Sequence, residues 1–311
     1  MNNMTSLTTK RVGIVKLPTC KVENVLFDST KNSVFYDNVS AVDVVVGKSQ
    51  RKPVVTRVRV CFNGDKNDKK YRLTPFDREV HDAIANLCAV NDHRHCTPKM
   101  ILRVLSGNGG NLKITSTLEG IIHGSIKKMN DTVIEVDSSE EASKFGGKDF
   151  VYQGSLLPSK HADGVVINNH IVNAYVFLRS PPLFEYAEDR GQMTSVKIKM
   201  LDIPSLRYTP ENFVLKGYLL REVLWMKYRS TRRRPVILYK TLFRYLGVDT
   251  SKHNDKERHR CMDIRARVKK CLDYWKKSSE IKGYGEGKDP SDKKVVAKIF
   301  VDLRTPGELM S

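Results

Sequence analysis

The stretch RSTRRRPVILYKTLFRYLGVDTSKHNDKERHRCMDIRARVKKCLDYWKK (Arg229–Lys277) decides how the chain is read. Between Lys227 and Lys282 there are 18 Lys and Arg against 6 Asp and Glu, so +12 of the chain's +19 sits in 56 residues. Arg229–Arg234 reads as a basic turn ended by Pro235, which cannot donate a backbone hydrogen bond. Ile237, Leu238, Leu242, Phe243 and Leu246 then read as a helix stopped by Gly247. Asn254 and Asp255 offer a cap for a long helix that follows. In that helix Ile264, Val268, Leu272 and Trp275 fall at i, i+4, i+8 and i+11, which puts them on one buried stripe. Arg258, Arg265, Lys269 and Lys276 fall at i, i+7, i+11 and i+18, a second, charged stripe on one flank. Lys270 and Lys277 add charge further round.

Upstream, Phe213, Leu215, Leu219, Leu220, Val223 and Leu224 predict a helix that ends near Tyr228. Downstream, Ile281–Tyr284 and Val295–Val301, joined by a glycine-rich loop, predict a hairpin. Helix, basic turn, helix, long basic helix and hairpin is the element order of a winged helix.

A basic amphipathic helix is open to three readings: a solvated charged face, a membrane-surface helix or a groove-binding helix. A membrane-surface helix needs its apolar groups free, yet here the domain core needs them. A groove-binding helix accounts for both the charged stripe and the adjacent RSTRRR turn, because lysines and arginines that neutralise phosphates release counterions. Lys256, Arg258, Arg265, Lys269 and Lys270 are the candidate groove contacts, and Arg232, Arg233 and Arg234 the candidate phosphate contacts.

Residues 71–178 repeat the pattern with less charge. Thr74-Pro75 opens a helix with Phe76, Val80, Ile84 and Leu87 on its buried face, since threonine caps and proline fits the first helical position. Thr97-Pro98 opens a second, short helix. A third begins near Lys113 and buries Ile114, Leu118, Ile121, Ile122, Ile126 and Met129. Strands are expected at 133–136, 151–157, 165–167 and 172–178. Lys113, Ser116 and Lys127 are the candidate DNA contacts of this unit, whose third helix is only mildly basic.

Around these units, Val58, Val60 and Phe62 alternate with Arg57, Arg59 and Cys61, the period of a half-buried strand. Further apolar runs at 12–17 and 41–46 also read as strands. Pro181 and Pro182 break the chain before a short helix over LFEYAEDR. Val196, Ile198 and Met200 read as a strand closing the first unit's sheet. The expected architecture is therefore α+β: a β-rich N-terminal extension over 1–70, one winged helix over 71–205 and a second over 206–311.

Composition sets the remaining bounds. At 311 residues, 40% hydrophobic and 29% charged, the chain suits folded domains rather than disorder. It contains no apolar run of membrane-spanning length and no signal-like N-terminal segment, so a cytoplasmic protein without a membrane partner is expected. Six cysteines occur without a C-x-x-C pair, which predicts reduced, mostly buried thiols. His93-Arg94-His95 is similar to the paired-histidine motif of rolling-circle nucleases, but it has arginine between the histidines and falls in a turn. GYGEGK (Gly283–Lys288) lacks phosphate-loop spacing. No cofactor, metal or catalytic set is expected.

LTPFDREVHDAIANL (Leu73–Leu87), TPKMILRVLSGN (Thr97–Asn108) and ILYKTLFRYLGV with its basic helix (Ile237–Trp275) resemble the replication initiators of bacterial plasmids, built from tandem winged helices. The chain also looks like RepA-like proteins of plasmids and mobile elements of low-GC Gram-positive bacteria, which share a proline turn and aromatic-acidic segment like SPPLFEYAE. The resemblance covers residues 71–301. It implies a non-enzymatic protein that binds double-stranded DNA at origin repeats and recruits the host replicative helicase or initiator. Dimerisation and repression of its own promoter often accompany that role. A transcriptional regulator of the same fold, or a nicking enzyme using a metal and a tyrosine, are the alternatives.

Overall fold

A computed structural model describes residues 13–28, 41–62, 72–90, 95–107, 114–167, 170–229, 236–250, 255–288 and 296–303. The chain is mixed α and β, with several small antiparallel sheets, and divides into two compact units, Met1–Ile198 and Lys199–Ser311.

In the first unit, strand β1 (Ile14–Pro18) leads into helix α1 (Lys21–Phe27), and β2 (Val42–Ser49) into β3 (Lys52–Phe62). Helix α2 (Pro75–Val90), strand β4 (His95–Cys96), and helices α3 (Pro98–Ser106) and α4 (Ser116–Asp131) follow. Then come β5 (Thr132–Asp137), α5 (Ser139–Phe145), β6 (Val151–Ser155), β7 (Ser159–Ile167), β8 (His170–Phe177), α6 (Pro182–Asp189) and β9 (Met193–Lys197). The sheets run β2-β3-β5-β6, β4-β8-β7 and β1-β9.

Two helix starts form as their residues dictate. Thr74 and Asp77 cap each other reciprocally at the head of α2, and Thr97 Oγ1 accepts the Met100 amide at the head of α3. Asp77 also accepts from Ser125 Oγ (2.7 Å) and Lys128 Nζ (2.8 Å), which pins α4 to the start of α2. The segment SPPLFEYAE is anchored by Glu141 of α5. That buried carboxylate accepts from Tyr186 (2.6 Å), Thr56 (2.8 Å) and Gln192 (3.3 Å).

Three expectations are corrected here. The described strands of the expected 1–70 extension do not stand apart: β1 pairs with β9, and β3 pairs with β5 in the register Val58↔Val136, so they belong to the first unit's sheets. The boundary between units accordingly falls at 198/199 rather than 205/206. Ile198 and Met200 do not continue a strand. Ile198–Leu201 is a 3-10 turn, and both side chains are buried there. Helices α1 and α5, at seven residues each, are too short for periodicity to reveal.

The second unit holds α7 (Pro210–Arg229), β10 (Val236–Leu238), α8 (Tyr239–Tyr245), α9 (Asp255–Lys277), β11 (Ile281–Lys288) and β12 (Val296–Leu303), with sheet order β10-β12-β11. Ile237 and Leu238, expected in a helix, lie instead in β10, opposite Ile299 and Lys298, where a β-branched run beside a proline favours strand. The strand expected over Ile281–Tyr284 runs on through Gly285–Lys288, expected as a loop, to form β11. Its glycines alternate with Tyr284 and Glu286, and at Gly287 a Cβ would lie 2.7 Å from the Phe300 ring. The core gathers Leu215, Leu219, Leu242, Ile264, Val268, Leu272, Trp275, Ile299 and Val301, all fully buried. Each large apolar side chain so buried contributes about 1.5–3 kcal/mol. Trp275 donates its indole N–H to the Met200 carbonyl at 2.9 Å. Among the described residues no helix is long and apolar enough to cross a membrane, and all six cysteines are free.

A buried ionic cluster joins α1 to α2. Arg78 donates to Glu23 (2.8 Å), and His81 Nδ1 lies 3.4 Å from Glu23 and 3.3 Å from Asp82. Burial opposes the charged imidazole, but the Asp82 and Glu23 carboxylates override it and hold the His81 pKa at about 9. Because this value exceeds that of the unfolded chain, the stabilisation is complete below about pH 6.5 and is lost as pH rises through about 9. Urea unfolding of the first unit should therefore weaken from about pH 7 to about pH 9.5, with the His81→Gln variant less stable at neutral pH and flatter across that range.

Candidate nucleic-acid interface

Helix α9 has two lateral faces with different fates. On the side that packs against α7, Glu211 receives Arg267 at 2.7 Å and Arg260 at 3.0 Å. Arg267 also reaches Asp263 (2.9 Å) and Asn212 Oδ1 (2.8 Å), and Arg260 donates to the Leu246 carbonyl (3.0 Å). Burial pushes the Glu211 pKa up, yet the two guanidiniums more than offset this and leave it below the usual carboxylate value. These two arginines hold the unit together.

The other side carries the stripe read from the sequence. Arg258 and Lys269 are exposed, as is Lys276 at its end. Arg265, between Arg258 and Lys269, is half-buried, its guanidinium 5.2 Å from the Tyr239 ring centre and 5.5 Å from that of Phe243. Lys269 pairs with Glu286 at 3.2 Å, and Glu286 also accepts from the Tyr239 hydroxyl at 3.2 Å. Burial, and then Glu286, raises the Tyr239 pKa, so the phenol stays protonated and donating. Tyr284 donates to Asp273 at 2.8 Å. Strand β11 is thus clipped along α9 at two points, which fixes the hairpin β11-β12 beside the helix.

Lys256 and Lys270 are also exposed on α9, off this stripe. Arg232, Arg233, Arg234 and Lys113 lie outside the described residues, as does the expected cap Asn254. In the first unit, Ser116 is exposed at the first turn of α4 and Lys127 is exposed near its end. Between them the face is nearly neutral: Gly120 and Gly124 leave open space, and Ile121 is exposed. His123 hydrogen-bonds the Tyr175 hydroxyl at 2.6 Å, and Lys128 is tied to Asp77. The structure therefore brings Arg258, Arg265 and Lys269 onto one surface. It offers α4 a single exposed cation among its described candidates.

Sequence reading looks only for charge on α9 and misses two exposed apolar residues on the same surface, Met262 and Ala266. Their signal is an apolar type outside the core spacing. It also misses that Arg260 and Arg267 are internal, because an ion-pair partner 49 residues away, as Glu211 is from Arg260, leaves no periodic trace.

Among the described residues one group, Glu23, His81 and Asp82, brings three ligating atoms within 4.8 Å of one another. Arg78 and His81 already pair with these carboxylates, so the cluster is accounted for as an ion network. His95 begins strand β4, and His93 and Arg94 lie outside the described residues.

No model of a known protein family matches the chain, and no curated protein matches it. Solved structures similar to it include domains 2 and 3 of RctB, at TM-score 0.44 and 16% identity, covering 85% of this chain and 90% of that one. A second structure of RctB domains 2-3 has TM-score 0.44 at 13% identity, covering 93% and 98%. The Pi initiator protein in complex with iteron DNA has TM-score 0.37 at 14% identity, covering 75% and 92%.

The two faces of α9 predict opposite mutational costs. Arg267→Ala, at a side chain only 11% exposed with three partners, should destabilise the chain by about 1–3 kcal/mol in urea unfolding. Lys269→Ala, half exposed, should stay within about 0.5 kcal/mol.

Proposed function

We propose that the chain is a non-enzymatic, sequence-specific duplex-DNA-binding protein of the replication-initiator kind, acting in the cytosol. The second unit is read as a winged helix, with α9 as the groove-entering helix and β11-β12 as the wing. The first unit is read as a second winged helix built from α2, α3 and α4. One observation carries this reading: α9 uses two of its arginines in internal ion pairs and still presents Arg258, Lys269, Lys256 and Lys270 to solvent beside a clipped hairpin. A helix of this dimension fits the major groove, and cations along its side meet the phosphates. The RSTRRR turn extends the same charge in sequence. Origin repeats as the target and recruitment of the host helicase or initiator follow from the sequence resemblance alone, as does assembly as a homodimer.

Duplex binding is measured by fluorescence anisotropy over a salt series. The affinity should fall steeply with salt. Arg258→Ala with Lys269→Ala should lower the slope by about 0.9 for each phosphate no longer neutralised, or cost ~1–3 kcal/mol for each base no longer read. Supercoiled DNA should remain uncut in Mg²⁺ or Mn²⁺. Affinity unchanged by both substitutions at every salt concentration would remove α9 from the interface, and nicking abolished by His95→Ala would replace the reading with an enzyme.

A further inference from the structure

Met262 is 56% exposed in the middle of α9, and the helix's charge pattern does not explain it. It follows Arg258 by four residues and precedes Lys269 by seven, so all three lie on one surface of the helix. Ala266, also exposed, sits one turn on from Met262. The core has no use for either residue. The helix's buried stripe is made by Ile264, Val268, Cys271, Leu272 and Trp275. Arg265 is drawn aside onto Tyr239 and Phe243, and Lys269 is held toward Glu286. What remains outward between the cations is a small apolar surface: a flexible thioether and a methyl group.

The edges of base pairs in the major groove are almost entirely polar, and thymine's C5 methyl is the apolar exception. Methionine, unbranched and polarizable, adapts its shape to such a group. We propose that Met262 and Ala266 form an apolar contact for thymine methyl groups, framed by Arg258 and Lys269, so that the bound site contains thymine where the middle of α9 meets the groove. This rests on the reading of α9 as the duplex-binding helix. The surface is taken as a base-reading one rather than a protein contact because it is narrow and bordered by cations on the same helix face.

The test uses duplexes selected from a random pool by the full chain, then resynthesised with deoxyuridine in place of thymidine. That exchange removes only the methyl and keeps the pairing and the O4 acceptor. Removing each methyl that α9 touches should weaken binding roughly four-fold. The variant Met262→Ala, checked by thermal melting for an unchanged fold, should bind the thymine duplex more weakly and discriminate less between the two. Equal affinity of the unmodified protein for both duplexes overturns the inference while leaving duplex binding intact. A thymine preference that Met262→Ala does not reduce overturns the assignment to this residue. Failure to bind any duplex at low salt overturns the function proposed above.

Discussion

The second unit depends on the burial of one narrow stripe of a helix that is otherwise among the most polar parts of the chain. Ile264, Val268, Cys271, Leu272 and Trp275 are fully buried in α9, and nearly everything else on it is charged or polar. Without that stripe a helix carrying so many like charges would repel itself. With it, the helix is fixed against α7 and the sheet, and its remaining faces are presented rigidly. Glu211 completes the arrangement by neutralising two arginines on the packed side. The charge left over therefore has a defined direction, which a mobile basic tail would lack.

The first unit solves a different problem. Its central helix α2 is buried along most of its length and carries Asp77, Arg78, His81 and Asp82 into the interior. Each of these charges meets a partner there: Asp77 holds α4, and the others bind Glu23 of α1 or one another. Ionic groups used this way contribute to a specific arrangement more than to net stability, because desolvation cancels much of the attraction. The charges of α2 are thus turned inward, while most of those on α9 face outward. That contrast matches the poor supply of exposed cations on α4.

How much can be read in advance follows from the range of each interaction. Helix α9 is legible because its period repeats over about six turns, and the Thr-Pro starts of α2 and α3 because capping is local. The pairing of β3 with β5 is not legible, since it joins strands distant in sequence, Val58 with Val136, and leaves each strand's alternation unchanged. For the same reason residues 1–70 look like an appendage. Ile237 and Leu238 look helical because a short apolar run fits either period; their partner β12 decides the matter. On the candidate surface, the cations of α9 are visible and their spacing leaves Arg260 and Arg267 off the stripe, but the sequence does not tell that these two are held in internal ion pairs. Only the position of Glu211 does that.

We propose α9 and its hairpin as the DNA-contacting surface. The most direct test is an acetylation footprint of lysines on the full chain with and without bound duplex, read by mass spectrometry. Bound duplex should slow the labelling of Lys269 and Lys270 on α9, and leave Lys160 of the first unit's β7 close to its rate in the free protein. Unchanged labelling of the α9 lysines under conditions where the duplex is demonstrably bound would contradict the account.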